Sequence, residues 1–266
     1  MRLIFVRSLL KIIFLEEAHS MSPLTRKLEH FVRLSASDRA ALELLTASPR
    51  RTYAPRENII CEGESPRVLR LALSGWACRY KTLEDGRRAI VGLLLPGDLC
   101  DLNVFILRKM DHSLAALTPV SLAEISSNTF NALTLAHPRV LQALWWETLV
   151  RESIQRQWTA NLSQRDASER VASLLCEVFT RLHCVGLTDG PSCDLALTQA
   201  ELGEATGLST VHVNRTVQEL RARGLIILRG KSLTIPDFEA LRDAALFSAD
   251  YLHLDHEGAH LDGAEG

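Results

Sequence analysis

A chain of 266 residues, 47% of them apolar, is too long for one small domain and long enough for two globular domains that each bury a core. Its 30 lysines and arginines nearly balance 32 aspartates and glutamates, giving a formal net charge of -2. That excludes a generally basic nucleic-acid coat, so any DNA contact must rest on local charge. The six cysteines are widely spaced and include no C-x-x-C pair, which argues against a zinc or thioredoxin-like centre and fits a reducing cytoplasm.

Residues 1–20 carry an apolar run broken by Arg7 and Lys11. The run is too short to span a bilayer and has no small-residue cleavage site, so it reads as an extension or a misassigned start, and no membrane association is expected. Residues 24–47 have a helical pattern, with Leu28, Phe31 and Val32 on one face. Ser35 and Asp38 then open a second helix bearing Leu42, Leu44 and Leu45. Over residues 52–126 the texture changes to the short runs VLRLALSG, WACRYKTL, RAIVGLLL and SLAEIS, punctuated by Gly63, Gly75, Asp85-Gly86 and Pro96-Gly97. This is the pattern of an antiparallel roll, and Asp85-Gly86 is its clearest hairpin turn.

Residues 138–161 predict one long helix. Val140, Leu144, Ile154, Trp158 and Leu162 give it an apolar stripe interrupted by Glu147, Arg151 and Gln155, compatible with a dimer seam or with a half-buried helix. Asp166 and Glu169 cap the next helix, which runs through Val171, Leu174, Leu175, Val178 and Leu182, so residues 162–166 form the expected hinge. Residues 185–194, with Gly186, Gly190 and Pro191, are expected as a loop. Beyond Ser248 the chain turns polar and acidic and is expected to be disordered past Leu252; His253, His256 and His260 read as solvated, not as metal ligands.

The strongest signal lies in residues 198–223, TQAELGEATGLSTVHVNRTVQELRAR. Thr198 with Glu201 forms a capping box, and Leu197 with Leu202 a hydrophobic staple. Gly207 ends this first helix, Ser209 caps the second, and Gly203 clears space where the two cross: a helix-turn-helix. On the second helix Val213, Val217 and Leu220 face inward. Val211, Arg215, Gln218 and Ala222 face out, flanked by His212 and Asn214, and this outer face fits a DNA major groove. Arg215 suits guanine O6 and N7, Val211 a thymine methyl, and Gln218 and Asn214 adenine or a phosphate. Thr210 and His212 lie at the helix N-terminus, where phosphates bind. Residues 225–237, LIILRGKSLTIPD, make a wing around Arg229-Gly230-Lys231. Arg215, Arg221, Arg223, Arg229 and Lys231 are opposed locally only by Glu219, so a cationic face lies within an acidic whole. Thr198, Ser209, Thr210, Val211, His212, Asn214, Arg215, Gln218, Arg221 and Lys231 are the candidate DNA-contacting residues.

Together with GDLCDLNVFILRKMDHSLAALTPVSLAEIS in the roll and NLSQRDASERVASLL after the long helix, this segment resembles the Crp/Fnr superfamily of bacterial transcription regulators, over about residues 24–240. The resemblance implies an α+β fold: an N-terminal antiparallel, jelly-roll-like β roll flanked by helices, a long dimerisation helix and a C-terminal winged helix-turn-helix. The corresponding parts are an extension (1–20), an effector domain (21–136), the dimerisation helix and hinge (137–163), the DNA-binding domain (164–247) and a polar tail (248–266). It further implies a cytoplasmic homodimer on palindromic double-stranded DNA, with half-sites roughly 34 Å apart, and RNA polymerase as a partner if the regulator activates. Base reading falls on Thr210, Val211, Arg215 and Gln218; Val211 stands where a glutamate is common, and Thr216 where an aliphatic residue is usual.

Cyclic-nucleotide-binding members of the superfamily carry Gly-Glu for the ribose and Arg followed by Ser or Ala for the phosphate. Here the matching residues are Cys100-Asp101 and Asp111-His112-Ser113. A neutral histidine cannot give a phosphate the forked, charge-assisted contact of an arginine, so Asp101, His112 and Ser113 are expected to form a degenerate pocket with no cyclic nucleotide bound. The first cysteine is Cys61, so the N-terminal iron–sulfur ligand cluster of oxygen-sensing relatives is missing, and no cofactor or metal is expected. Arg108 and Lys109 read as solvated, and Cys184 and Cys193 as idle thiols. Three adjacent residues, Asp111-His112-Ser113, cannot converge on one reacting atom as a hydrolase triad would, and no enzymatic activity is expected. The alternatives are an effector domain that still takes a cyclic nucleotide or another small anion, and a small-molecule-binding module whose helix-turn-helix serves protein contacts.

Overall fold

The computed structural model describes residues 21–255; the expectations for residues 1–20, and for His256 and His260, lie outside the described residues. Helix α1 (Pro23–Glu29) starts with Ser22 as N-cap and Pro at the first turn, where a missing N–H costs nothing. Helix α2 (Ala36–Thr46) has the capping box expected of Ser35 and Asp38. Seven strands follow: β1 (Arg50–Tyr53), β2 (Asn58–Ile60), β3 (Leu69–Ser74), β4 (Ala77–Thr82), β5 (Arg88–Leu94), β6 (Ser113–Ala116) and β7 (Val120–Ile125). They form two antiparallel sheets ordered β1-β7-β3 and β2-β6-β4-β5, which close as a roll. Tyr53, Ile60, Met110, Leu114 and Leu122 fill part of its interior.

Helix α3 (Ser127–Ala136) leads into the long helix α4 (Pro138–Gln164) and then α5 (Ala167–Cys184), which Asp166 and Glu169 cap reciprocally. The hinge is shorter than expected: α4 continues to Gln164, Arg165 and Asp166 are extended, and Asp166 is already the next N-cap. Residues 185–194 depart from the expected loop. They hold the hairpin β8 (Thr188–Asp189) and β9 (Ser192–Asp194), too short to show alternation, and β9 pairs with the wing strands β10 (Ile227–Arg229) and β11 (Ser232–Thr234) in the order β10-β11-β9-β8. The helix-turn-helix is α6 (Gln199–Thr206) and α7 (Thr210–Ala222), and α8 (Phe238–Ala244) closes the domain. The polar tail assigned from Ser248 begins later than expected: Leu252 is buried, the Tyr251 hydroxyl donates to Glu177 (3.0 Å), and the His253 ring lies 5.6 Å from Trp146.

The apolar stripe of α4 is spent within the chain. Val140, Leu144, Ile154 and Trp158 are buried, while Leu162 is exposed. The polar residues that interrupt the stripe are equally engaged. Asp98, in the turn after β5, accepts from Lys27 Nζ of α1 (2.5 Å), Arg181 of α5 (2.7 Å) and the Leu95 N–H (2.8 Å). Lys27 also reaches Glu147 of α4 (2.7 Å), and Arg181 reaches Glu177 (3.2 Å), which takes the Trp158 indole N–H (3.0 Å). Four segments are thus fastened through a buried chain of ion pairs.

Burial alone would raise the Asp98 pKa, but Lys27, Arg181 and the Leu95 N–H hold it well below the ordinary carboxylate value. A depressed folded pKa adds stability that is present above the unfolded value of about 3.9 and is lost as pH falls through the acid range. Asp98→Ala should cost about 3 kcal/mol in urea unfolding at pH 7, because it takes one of two carboxylate partners from each of the buried cations Lys27 and Arg181 and leaves the Leu95 N–H unpaired, and should flatten the loss of stability on acidification.

Candidate nucleic-acid interface

The helix-turn-helix is held by its own backbone chemistry. Thr198 Oγ1 accepts from the Glu201 N–H (3.2 Å) and donates to the Glu201 carboxylate (2.8 Å), so this side chain is committed to the cap. Gly207 takes the left-handed conformation (φ 68°) that turns the chain between the helices. A Cβ on Gly203 would come within 2.5 Å of the Leu208 carbonyl oxygen, so only glycine permits this crossing. Val213, Thr216, Val217 and Leu220 are buried beneath α7. Thr216 is therefore a core position although its side chain is polar.

The opposite face of α7 is open. Ser209, Thr210, Val211, Asn214, Arg215, Gln218 and Arg221 are exposed and His212 is half-buried; Val211 is 82% exposed, so an aliphatic group stands in water with no neighbour to cover it. The Ser209 hydroxyl accepts from the His212 N–H (3.3 Å). Thr210, Val211, Asn214 and Arg215 line one concave patch of about 330 Å³ with Gln199 of α6. Gln199, whose Oε1 accepts from Asn214 Nδ2 (3.1 Å), is absent from the sequence-derived set. Its place at the start of the first helix was the available signal. Arg221 donates to Gln218 (3.1 Å), which steadies both side chains along the outer edge. Lys231 lies apart from this patch, exposed in the wing turn between β10 and β11.

In the roll, the three candidate pocket residues meet a denser cluster than the sequence implied. His112 Nδ1 lies 2.7 Å from Asp111, and Nε2 lies 3.3 Å from Asp101. Asp101 also faces Arg79 of β4 (3.5 Å) and Arg151 of α4 (3.9 Å); Arg79 donates to the Cys100 carbonyl and Arg151 to the Leu99 carbonyl (3.1 Å). The buried Ser113 hydroxyl accepts from the Glu62 N–H (2.9 Å). Arg79 and Arg151 escaped the sequence reading because one sits in a strand run and the other interrupts a helical stripe. Arg108 and Lys109 are exposed. The thiols of Cys184 and Cys193 are pushed up to about 11, chiefly by burial, which disfavours the reactive thiolate. Among the described residues no group of three or more potential ligands could hold a metal ion, and no helix is long and apolar enough to cross a membrane.

Burial alone would lower the His112 pKa, but the Asp101 and Asp111 carboxylates raise it above its ordinary value. Its contribution to stability is therefore complete below the unfolded value of about 6.5 and is lost as pH rises through the higher folded value. His112→Gln should remove that step from the pH dependence of urea unfolding as pH rises above about 6.5, and chemical-shift titration of the His112 ring should give a midpoint above that of a free histidine.

The cyclic nucleotide-binding domain family matches residues 50–137, and the Crp-like helix-turn-helix domain family matches residues 169–244. The transcriptional activator protein FnrL of Cereibacter sphaeroides is 31% identical over 203 residues, covering 73% of this chain and 79% of FnrL. The nitrogen fixation regulation protein FixK of Bradyrhizobium diazoefficiens is 28% identical, covering 76% and 85% respectively. The solved structure of FixK2 from Bradyrhizobium japonicum superposes with a TM-score of 0.66 at 22% identity, over 76% of this chain and 99% of that one, a likeness of fold.

Proposed function

Since the chain belongs to the Crp/Fnr superfamily of bacterial transcription regulators, and is a regulator of the FnrL and FixK type rather than an enzyme, we propose that it acts as a homodimer that reads palindromic double-stranded DNA with α7 and answers to an effector other than a cyclic nucleotide. The observation that carries the DNA reading is the uncovered face of α7, where Val211 and Arg215 project beside the helix N-terminus with no fold-internal role. Arg215 contacts guanine O6 and N7, Val211 packs on a thymine methyl, and Thr210 with the first-turn amides holds a phosphate. Gln199 and Asn214 form a bonded pair, a geometry suited to a phosphate beside the reading face. Lys231 neutralises the backbone from the wing. A target on DNA places the action in the cytoplasm.

For the dimer, the supporting feature is the face of α4 that the chain leaves uncovered, not the stripe expected from periodicity. Trp145 is 69% exposed and Leu149 37%, followed by the exposed ion pair Glu152–Arg156 (3.7 Å). An exposed tryptophan beside a leucine on a long helix is an apolar surface awaiting a partner, and a two-fold pairing covers the same residues on both copies.

The effector part of the proposal rests on fit. A cyclic phosphate needs an uncommitted cation, yet both His112 nitrogens face carboxylates, and Arg79 and Arg151 are held by Asp101 and backbone carbonyls. A phosphate placed there would confront Asp101 and Asp111 at close range. These residues do not fit the group.

Arg215→Ala should lower discrimination between specific and scrambled sites by about 1–3 kcal/mol in gel-shift titrations; unchanged specific binding would sink the reading. Lys231→Ala should weaken binding uniformly and reduce the salt slope of binding by about one. Replacing Trp145 and Leu149 together by Glu should halve the mass seen in light scattering, with the circular dichroism spectrum retained.

A further inference from the structure

A cleft of about 450 Å³ opens between the roll and the DNA-binding domain, away from Asp101 and His112. Its walls come from both sides: Leu73 and Trp76 from the roll, Leu182 from the end of α5, and Ala196 from the segment leading to the helix-turn-helix. Asp194 and Lys231 stand on its lip, one on β9 and the other in the wing turn, and both are exposed. From this arrangement we infer that the cleft is the effector site, and that it takes a small amphipathic acid: an apolar body against Leu73 and Trp76, an anionic group on Lys231, and a hydroxyl or N–H donor to Asp194.

Three features support that assignment. The volume lies in the range of drug-sized ligand sites, and such sites favour domain junctions with apolar walls and a few polar groups. The roll wall is rigid and ready-made: the Trp76 N–H donates to Thr118 Oγ1 (2.9 Å), its carbonyl accepts from the Leu117 N–H (2.8 Å), and a Cβ on Gly75 would come 2.1 Å from the Pro119 carbonyl oxygen. A preformed wall spares the ligand an ordering cost. The polar groups also differ in sign, and they sit on the sheet that carries the wing, since β9 and β11 pair Asp194 with Ser232. An occupant therefore couples the roll to Lys231. That coupling to DNA rests on the DNA-binding reading given above, whereas occupancy of the cleft does not.

Anilinonaphthalene sulfonate is a suitable probe, because it joins an aromatic body, a sulfonate and an N–H. Titrated into the full-length protein without DNA, it should give a saturable fluorescence gain at one molecule per chain. Ala196→Trp, which fills the cleft, should abolish the gain. Lys231→Glu, at an exposed position, should raise the dissociation constant about tenfold or more through loss of the charge-assisted contact. Arg215→Ala should leave the titration unchanged, which separates failure of this site from failure of DNA recognition. The inference is overturned if the wild-type protein gives no saturable gain, or if the gain persists unaltered in Lys231→Glu, the mark of an adventitious additive only.

Discussion

The carboxylate of Asp98 is the point through which the parts of this chain are held. It lies in the turn that follows β5, and its two oxygens and their partners draw in α1 through Lys27, α5 through Arg181 and, by way of Lys27, α4 through Glu147. Buried charges are costly unless paired, so these segments are fixed by mutual obligation: displacing any one leaves a buried charge with one partner fewer. The same chain ends on Glu177, which receives the Trp158 indole and the Tyr251 hydroxyl. The roll, the long helix and the helix-turn-helix domain thus share one electrostatic anchor, and hydrophobic packing fills the space around it.

That anchor explains where sequence reasoning ran out. The elements whose determinants are local were legible: Ser35, Asp166 and Thr198 with their partners three residues on fix helix starts by hydrogen bonds that the order of residues alone predicts. The face of α7 was legible for the same reason, since helical period decides it once the cap is placed. Glu147 and Arg151 were not. Along α4 they look like breaks in an apolar stripe, and only the fold brings them to Lys27 and Asp101. Gln199 was hidden in a similar way, because its partner Asn214 is 15 positions away on another helix. The hairpin of β8 and β9 escaped because strands of two and three residues carry no period.

The roll matches the cyclic nucleotide-binding domain family, and the charged groups around Asp101 face one another. Asp101 is surrounded by Arg79, Arg151 and His112, so cations that could receive a ligand's anion neutralise the chain's own carboxylate. This arrangement substitutes a permanent internal counter-ion for a removable one. It ties β4 to α4 through Arg79 and Arg151, and His112 adds a group that takes up a proton.

Arg165 gives the architecture a mechanical character. Helix α4, at 27 residues and about 1.5 Å of rise each, is a rod of roughly 40 Å, and it meets α5 across two non-helical residues, Arg165 and the N-cap Asp166. Two residues offer four soft dihedrals, so the joint is short and its freedom is confined to a few backbone rotations. Even that freedom is clamped, because the Arg165 guanidinium binds the Leu246 carbonyl and the following residues return to α4, where His253 meets Trp146. The chain therefore closes a ring around its own pivot. Any swing of the helix-turn-helix domain about this joint must first release the contact between Arg165 and the Leu246 carbonyl, so the pivot and its restraint belong to the same side chain.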